Sequence, residues 1–347
     1  MDKARARLER LWHRGREFLG TEYAVMGGAM SWISERSLVA AISNGGGFGV
    51  LACGSMPPDL LAEEVLATQA MTSRPFGVNL ITMHPDLDTL IDVCGDLRVG
   101  HIVLAGGLPS AAAIRRAKAT GAKVICFAPA MVLARKLLRS GVDALVIEGT
   151  EAGGHIGPVA TSVLAQEILP VINDVPVFVA GGIGRGEALL SFLEMGASGC
   201  QLGTRFVCAT ECIAHPNFKQ AFIKAAARDA VPSIQVDPQF QVIPVRALAN
   251  NATRRFTLFQ LDMVARVKAG EIDVKEAQLR IEHFWAGALK RAVIDGDVEN
   301  GSLMAGQSVG MVTREQPTAE ILQELVDQAL AALAAREEGS VPALVRC

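Results

Sequence analysis

The sequence predicts an α/β protein, a (β/α)8 barrel (TIM barrel) with a helical subdomain appended after the eighth strand. Short β-branched apolar runs recur about every 20–30 residues over roughly the first 200, the count and size expected for eight strand–helix units. These runs are continuously apolar and do not alternate, so both faces of each strand are buried, as in a parallel sheet. Most end in glycine, and several of those ends carry a glycine doublet.

The first 20 residues place Leu8, Leu11, Trp12 and Leu19 among many charges. The segment reads as a solvated amphipathic helix with an option to touch a membrane surface; it lacks the apolar core of a signal peptide. The predicted strands are Ala24–Gly28, Gly47–Cys53, Phe76–Ile81, His101–Gly106, Lys123–Ala128, Ala144–Gly149, Val177–Gly182 and Gly199–Gly203. Helical patterns between them include Leu60–Met71, Ala111–Thr120, Ala130–Ser140 and Gly186–Met195. A doubly wound sheet would normally carry fewer strands in one layer. From His215 the alternation stops. His215–Arg228, Thr253–Gly270 and Val274–Ala292 read as helices, with loops around Pro232, Pro238 and Pro244. The chain then returns through Gly301–Val312 to a last helix, Thr318–Ala335, whose apolar face suits the barrel's outer ring. The expected division is a barrel of residues 1–214 and 300–347, with a helical substrate-side subdomain of residues 215–299.

The 347 residues carry 33 Lys+Arg against 36 Asp+Glu, a net charge of −3, which argues against nucleic acid as a partner. Mean hydropathy is +0.31 and only 20% of residues are charged, so a large buried core is expected and disorder is excluded. No apolar run reaches the ~18 residues of a membrane span. Seven cysteines, an odd number, lie scattered without a CxxC pair or zinc spacing. They read as free buried thiols in a reducing compartment, and a cytoplasmic location is expected. The apolar content is compatible with a homodimer.

The strand ends carry the chemistry. Gly181-Gly182 follows the seventh strand and Gly203-Thr204 the eighth, where barrels commonly bind phosphate with backbone N–H groups. No dinucleotide-binding or P-loop fingerprint occurs. After the sixth strand, Glu148-Gly-Thr-Glu-Ala-Gly-Gly-His155-Ile-Gly157 presents one imidazole on a glycine-rich loop, as a general acid/base or a donor to developing charge would require. The other histidines fall on a charged helix (His13), before prolines (His84, His215), at a strand start (His101) or on a helix of the appended region (His283). None makes a metal-ligand cluster, and no metal is expected. A flavin-free, phosphate-binding isomerase or lyase would share the glycine loops but would need a lysine or carboxylate pair at the mouth. Lys123 starts its strand, at the wrong end for that role.

Several segments in one order resemble the nitronate monooxygenase (2-nitropropane dioxygenase) family. They are Met30-Ser-Trp32-Ile with Leu38 through Gly49, Pro75-Phe-Gly-Val-Asn79, the Glu148–Gly157 loop, Ala180-Gly-Gly-Ile183 and Gln201-Leu-Gly-Thr-Arg-Phe206. The likeness runs from about residue 22 to 335. The helical segment and the stretch from Gly296 to Met311 look closer to the family's FMN-dependent enoyl-acyl-carrier-protein reductase II branch. The resemblance implies a barrel holding FMN noncovalently. Gly28, Ala29, Met30 and Asn79 would contact the ring or ribityl chain, and Glu148 and Gly154 would lie along the cofactor. Gly181, Gly182, Gly203 and Thr204 would hold the phosphate with Gln201 beside them, while Met304 and Gln307 would cover the ring. His155 matches the family's catalytic histidine. Where family members commonly read Gln-Gly-Gly-Met, this chain reads Gly27-Gly28-Ala29-Met30, which keeps the backbone contacts and removes the glutamine side chain. The implied reaction is NAD(P)H-dependent reduction of an enoyl thioester, the substrate a small molecule or an acyl thioester, with acyl carrier protein an implied partner. Nitronate oxidation with O₂ and NADH:quinone reduction are the family's other chemistries.

Overall fold

The computed structural model describes residues 2–338 except 55, 239 and 241. Eight parallel strands form the central sheet: β1 (Val25–Gly27), β2 (Gly49–Ala52), β3 (Phe76–Ile81), β4 (His101–Ala105), β5 (Lys123–Phe127), β6 (Ala144–Glu148), β8 (Val177–Ala180) and β9 (Gly199–Leu202). They run in the order β1-β9-β8-β6-β5-β4-β3-β2. A parallel bridge between Met26 and Phe48 joins the two ends and closes the ring. The predicted strands and the observed ones coincide to within a residue or two at each end.

Helices α1 (Asp2–Leu19), α2 (Arg36–Asn44), α3 (Pro58–Met71), α4 (Leu87–Asp96), α5 (Ala111–Ala119), α6 (Met131–Arg139), α7 (Thr161–Ile168) and α8 (Gly186–Glu194) flank the strands. After β9 come α9 (Thr204–Val207), α10 (Pro216–Lys224), α11 (Asn251–Lys268), α12 (Val274–Val293) and α13 (Thr318–Glu337). The last helix buries Ile321, Leu322, Leu325, Leu330 and Leu333, each fully withdrawn side chain contributing about 1.5–3 kcal/mol. It meets α8 at Gly186, where a Cβ would lie 1.9 Å from the Leu325 carbonyl oxygen, so only glycine permits the approach.

Two features differ from expectation. Helix α1 is not merely solvated. Leu8, Trp12 and Leu19 are buried, and Arg7 of α1 and Arg336 of α13 both pair with Glu194 of α8. The sequence misleads because the helix packs by a narrow apolar stripe while its charges serve ion pairs at the rim of the contact. The appended region is also not purely helical. Strands β10 (Ala230–Pro232) and β11 (Val245–Leu248) form a small antiparallel sheet with β7 (Gly154–His155), in the order β10-β11-β7. Proline at the end of β10 is tolerated because that strand is an edge.

Three apolar clusters result. One fills the space between strands and outer helices. A second lies inside the barrel, with Met26, Phe48, Val103, Ile125, Val146, Phe178 and Ala180. The third belongs to the appended region and contains Val245, Phe256, Met263, Ile281 and Trp285, with Met304 packed against it. The six described cysteines are buried free thiols, and burial pushes Cys53, Cys94, Cys126 and Cys208 up to about 12. Cys347 lies outside the described residues.

Candidate active site

The site is built where the strands end. Side chains on neighbouring residues of a parallel row share a face. Asn79 pairs with Val103, and Gln201 and Glu148 both pair with Ala180, so all three follow the inward face marked by the interior cluster. They place neutral amides and one carboxyl on otherwise apolar walls. The Asn79 side-chain amide donates to the Val103 carbonyl at 3.3 Å. Burial pushes the Glu148 carboxyl up to about 8, so near neutrality it holds its proton and can donate as well as accept.

Glycines and a returning segment complete the mouth. The Gly28 N–H donates to the Leu202 carbonyl at 2.8 Å, and a Cβ on Gly28 would lie 3.2 Å from Gly203 Cα. The turn after β1 is held by Ser34, whose hydroxyl donates to the Gly28 carbonyl at 2.8 Å and accepts from the Met30 N–H at 3.0 Å. Gly181 and Gly182 sit at φ +97° and +74°, and a Cβ on Gly182 would come within 3.0 Å of Glu151 Cβ. Among the described residues, nothing accepts from the N–H groups of Gly181, Gly182, Gly203 and Thr204. These four N–H groups, on the adjacent loops after β8 and β9, are of the kind that suits an anion.

The loop after β6 is fastened from three directions. Glu151 accepts from the Thr161 N–H and hydroxyl, both at 2.8 Å, and its own carbonyl accepts from the Gln307 N–H at 2.9 Å. Strand β11 pairs Val245 with His155 and Arg246 with Gly154. The Arg246 guanidinium, itself buried, donates to the Thr150 carbonyl at 2.7 Å and to the Ala230 carbonyl at 2.5 Å. Burial pushes this guanidinium down, opposed by the charge of Glu151. His155 is exposed at the end of the clamped loop. From the other side, the Gly306 N–H donates to the Thr204 hydroxyl at 3.0 Å, and Met304 Sδ would lie 3.5 Å from a Cβ on Gly154.

The structure thus gathers Gly28, Ala29, Met30, Asn79, Glu148, Gly154, His155, Gly181, Gly182, Gln201, Gly203, Thr204, Met304 and Gln307 at the strands' carboxyl ends and the segment across them. Ser34, Glu151, Thr161 and Arg246 are supporting residues that sequence reasoning missed. Glu151 was visible three residues after Glu148. Arg246 follows a proline in a short stretch without periodicity and gave no signal. Three of the other described histidines have structural surroundings. His84 and His215 each accept a backbone N–H two residues on, and His101 lies at the opposite end of the barrel. Among the described residues no three His, Cys, Asp or Glu groups could hold a metal ion, and no helix is long and apolar enough to cross a membrane.

A closed parallel barrel with unpaired backbone donors and neutral hydrogen-bonding groups at its mouth is the (β/α)8 architecture, whose active sites lie at the strands' carboxyl ends. The nitronate monooxygenase family model matches residues 13–90 and 85–328, and the chain belongs to this family of flavin-dependent oxidoreductases. Among solved structures it is similar to FabK from Thermotoga maritima, at 33% identity and a TM-score of 0.83 over 94% of this chain and 98% of that one. The (3aS,4S,5R,7aS)-5-hydroxy-7a-methyl-1-oxo-octahydro-1H-indene-4-carboxyl-CoA dehydrogenase of Mycobacterium tuberculosis is 29% identical, over 90% of this chain and 95% of the relative. A probable nitronate monooxygenase of Staphylococcus aureus is 26% identical, over 92% and 98%.

Proposed function

We propose that the protein is an FMN-dependent oxidoreductase that reduces an enoyl thioester with NAD(P)H, the acyl group reaching it on a small thiol or an acyl carrier protein. The observation that carries this is Met304. It packs on the appended region's apolar core and also lies beside Gly154, so an apolar side chain joins that core to the loop bearing His155. An apolar junction of this kind suits an acyl chain better than a small anion. The similarity to FabK, an enoyl reductase, and to an enzyme acting on a CoA thioester supports the same substrate class.

The residues present fit FMN. The N–H groups of Gly181, Gly182, Gly203 and Thr204 would hold its phosphate. Gly28, Ala29, Met30, Asn79, Glu148, Gly154 and Gln201 would line the ring and ribityl chain, and Met304 and Gln307 would cover them. When bound, the flavin supplies the two-electron chemistry. The protein's part is geometric and protonic. A neutral Glu148 avoids a buried charge against the ring, and the Arg246 clamp limits how far the glycine-rich loop can move. His155 orients the thioester and delivers the proton to its α-carbon. The division into a barrel of residues 1–214 and 300–347 and a substrate-side unit of 215–299 follows the same reading.

His155→Gln should retain the yellow flavin spectrum and lower enoyl-thioester turnover by about 10²–10⁴. Full turnover in that variant would remove His155 from the mechanism. The S. aureus relative's name favours a second reading, nitronate oxidation, in which His155 binds the nitro group. Anaerobic bleaching by NAD(P)H supports the reductase; nitronate-dependent O₂ uptake without NAD(P)H supports the alternative.

A further inference from the structure

We infer that Trp32 and Lys290 form a subsite on the rim of the barrel mouth for an adenosine phosphate, the nucleotide end of a coenzyme A thioester or of the nicotinamide coenzyme. Trp32 stands two residues beyond the Met30 turn and adopts φ +67°. A bulky residue enters this left-handed region only against a steric cost. The turn imposes that conformation, since the N–H groups of Ile33 and Ser34 both donate to the Met30 carbonyl, at 3.0 and 2.8 Å. The consequence is directional. Ile33 and Ser34 are each 3% exposed, while Trp32 is turned out to 39%.

The ring is met from the other part of the molecule. Lys290, in the last turn of α12, holds its Nζ 5.2 Å from the Trp32 ring centroid. Among the described residues no carboxylate pairs with this ammonium. A part-exposed indole with an ammonium over its ring, and no carboxylate on that ammonium among the described residues, matches a flat base bearing phosphate. Bases stack on tryptophan with little regard to sequence, and lysine meets phosphate as a compact point charge. The position also fits, because NAD(P)H, and the thioester when coenzyme A carries the acyl group, bear such a group at a distance from the reacting atoms. This inference deepens the proposed function, but binding is measured without turnover, so either can fail while the other stands.

The test uses an optical accident of the chain. Of its three tryptophans, Trp12 and Trp285 are buried at 1% and 2%, so acrylamide quenching in the holoenzyme reports mainly on Trp32. Adding 3′,5′-ADP should shield Trp32 if the site takes the coenzyme A end, whereas 5′-ADP or 2′,5′-ADP should shield it if the site takes the NADH or NADPH end. Pyrophosphate alone should not shield. Trp32→Asn keeps a residue that tolerates positive φ, so it should melt no lower than the parent chain yet bind the shielding nucleotide about tenfold more weakly by calorimetry. Lys290→Ala, on an exposed helix end, should also weaken binding and tests the subsite independently of the Trp32 backbone. Absence of shielding by all three nucleotides, equal shielding by pyrophosphate, or parental affinity in both variants would overturn the proposal.

Discussion

The two ends of the same barrel are built from opposite materials. At the amino ends of the strands, Phe18 and Leu19 of α1 close the interior against Phe48, His101, Lys123 and Phe178. The Phe18 carbonyl accepts from His101 Nε2 at 3.0 Å and from Lys123 Nζ at 2.5 Å, while Lys123 also lies 4.8 Å over the Phe18 ring. Large side chains fill that floor. The mouth is made of bare backbone, three inward polar groups and a strap from the far end of the chain. One ring of strands therefore separates its duties, with packing energy concentrated below and binding groups above.

The largest test of this division is Phe48→Ala. Phe48 is fully buried, touches the His101 ring edge-on, and would nearly meet a Cβ on Gly77 at 3.0 Å. Removing it should cost about 3–5 kcal/mol in a denaturant titration. The flavin spectrum of the folded fraction should stay unchanged. Loss of flavin at little cost in stability would mean that floor and mouth are coupled.

The floor should also respond to acid. Burial lowers the His101 pKa to about 4, with Lys123 pushing the same way and the Phe18 carbonyl opposing. Because Nε2 donates to that carbonyl, the other ring nitrogen is left buried without a partner among the described residues. The folded state thus binds fewer protons than the unfolded chain between pH 6.5 and 4. The stability present above 6.5 is lost as pH falls through this window, on the order of 3 kcal/mol in all. His101→Asn should be less stable at neutral pH yet show a flatter decline into acid. An unchanged slope would place the acid sensitivity elsewhere.

The sequence made the barrel legible because eight doubly buried strands leave unbroken apolar runs, and because Gly28, Gly181, Gly182 and Gly203 stand at their ends for a backbone reason. It made the rest of the site legible only where chemistry shows in one residue, as with His155. The clamp on the loop was hidden. Strand β7 is two residues long, its partner β11 starts after Pro244, and Arg246 acts through carbonyl groups that no residue pattern records. The floor was hidden too, since Phe18 and Leu19 look like the end of a charged helix until the strand ring places His101 and Lys123 beneath them.

Glu148 gives the mouth a pH response of opposite sign. Its carboxyl is pushed up to about 8, so from about pH 4.5 to 8 the folded state holds a proton that the unfolded chain releases. Stability is greatest below that window and declines as pH rises through it. Glu148→Gln keeps the shape and the hydrogen-bonding capacity of the neutral acid. It should flatten the thermal midpoint between pH 5 and 8 while leaving the His101 decline in acid intact. If the variant instead steepens the alkaline loss, the carboxyl is ionised in the fold, and the mouth must supply a positive partner that the neutral arrangement does not need.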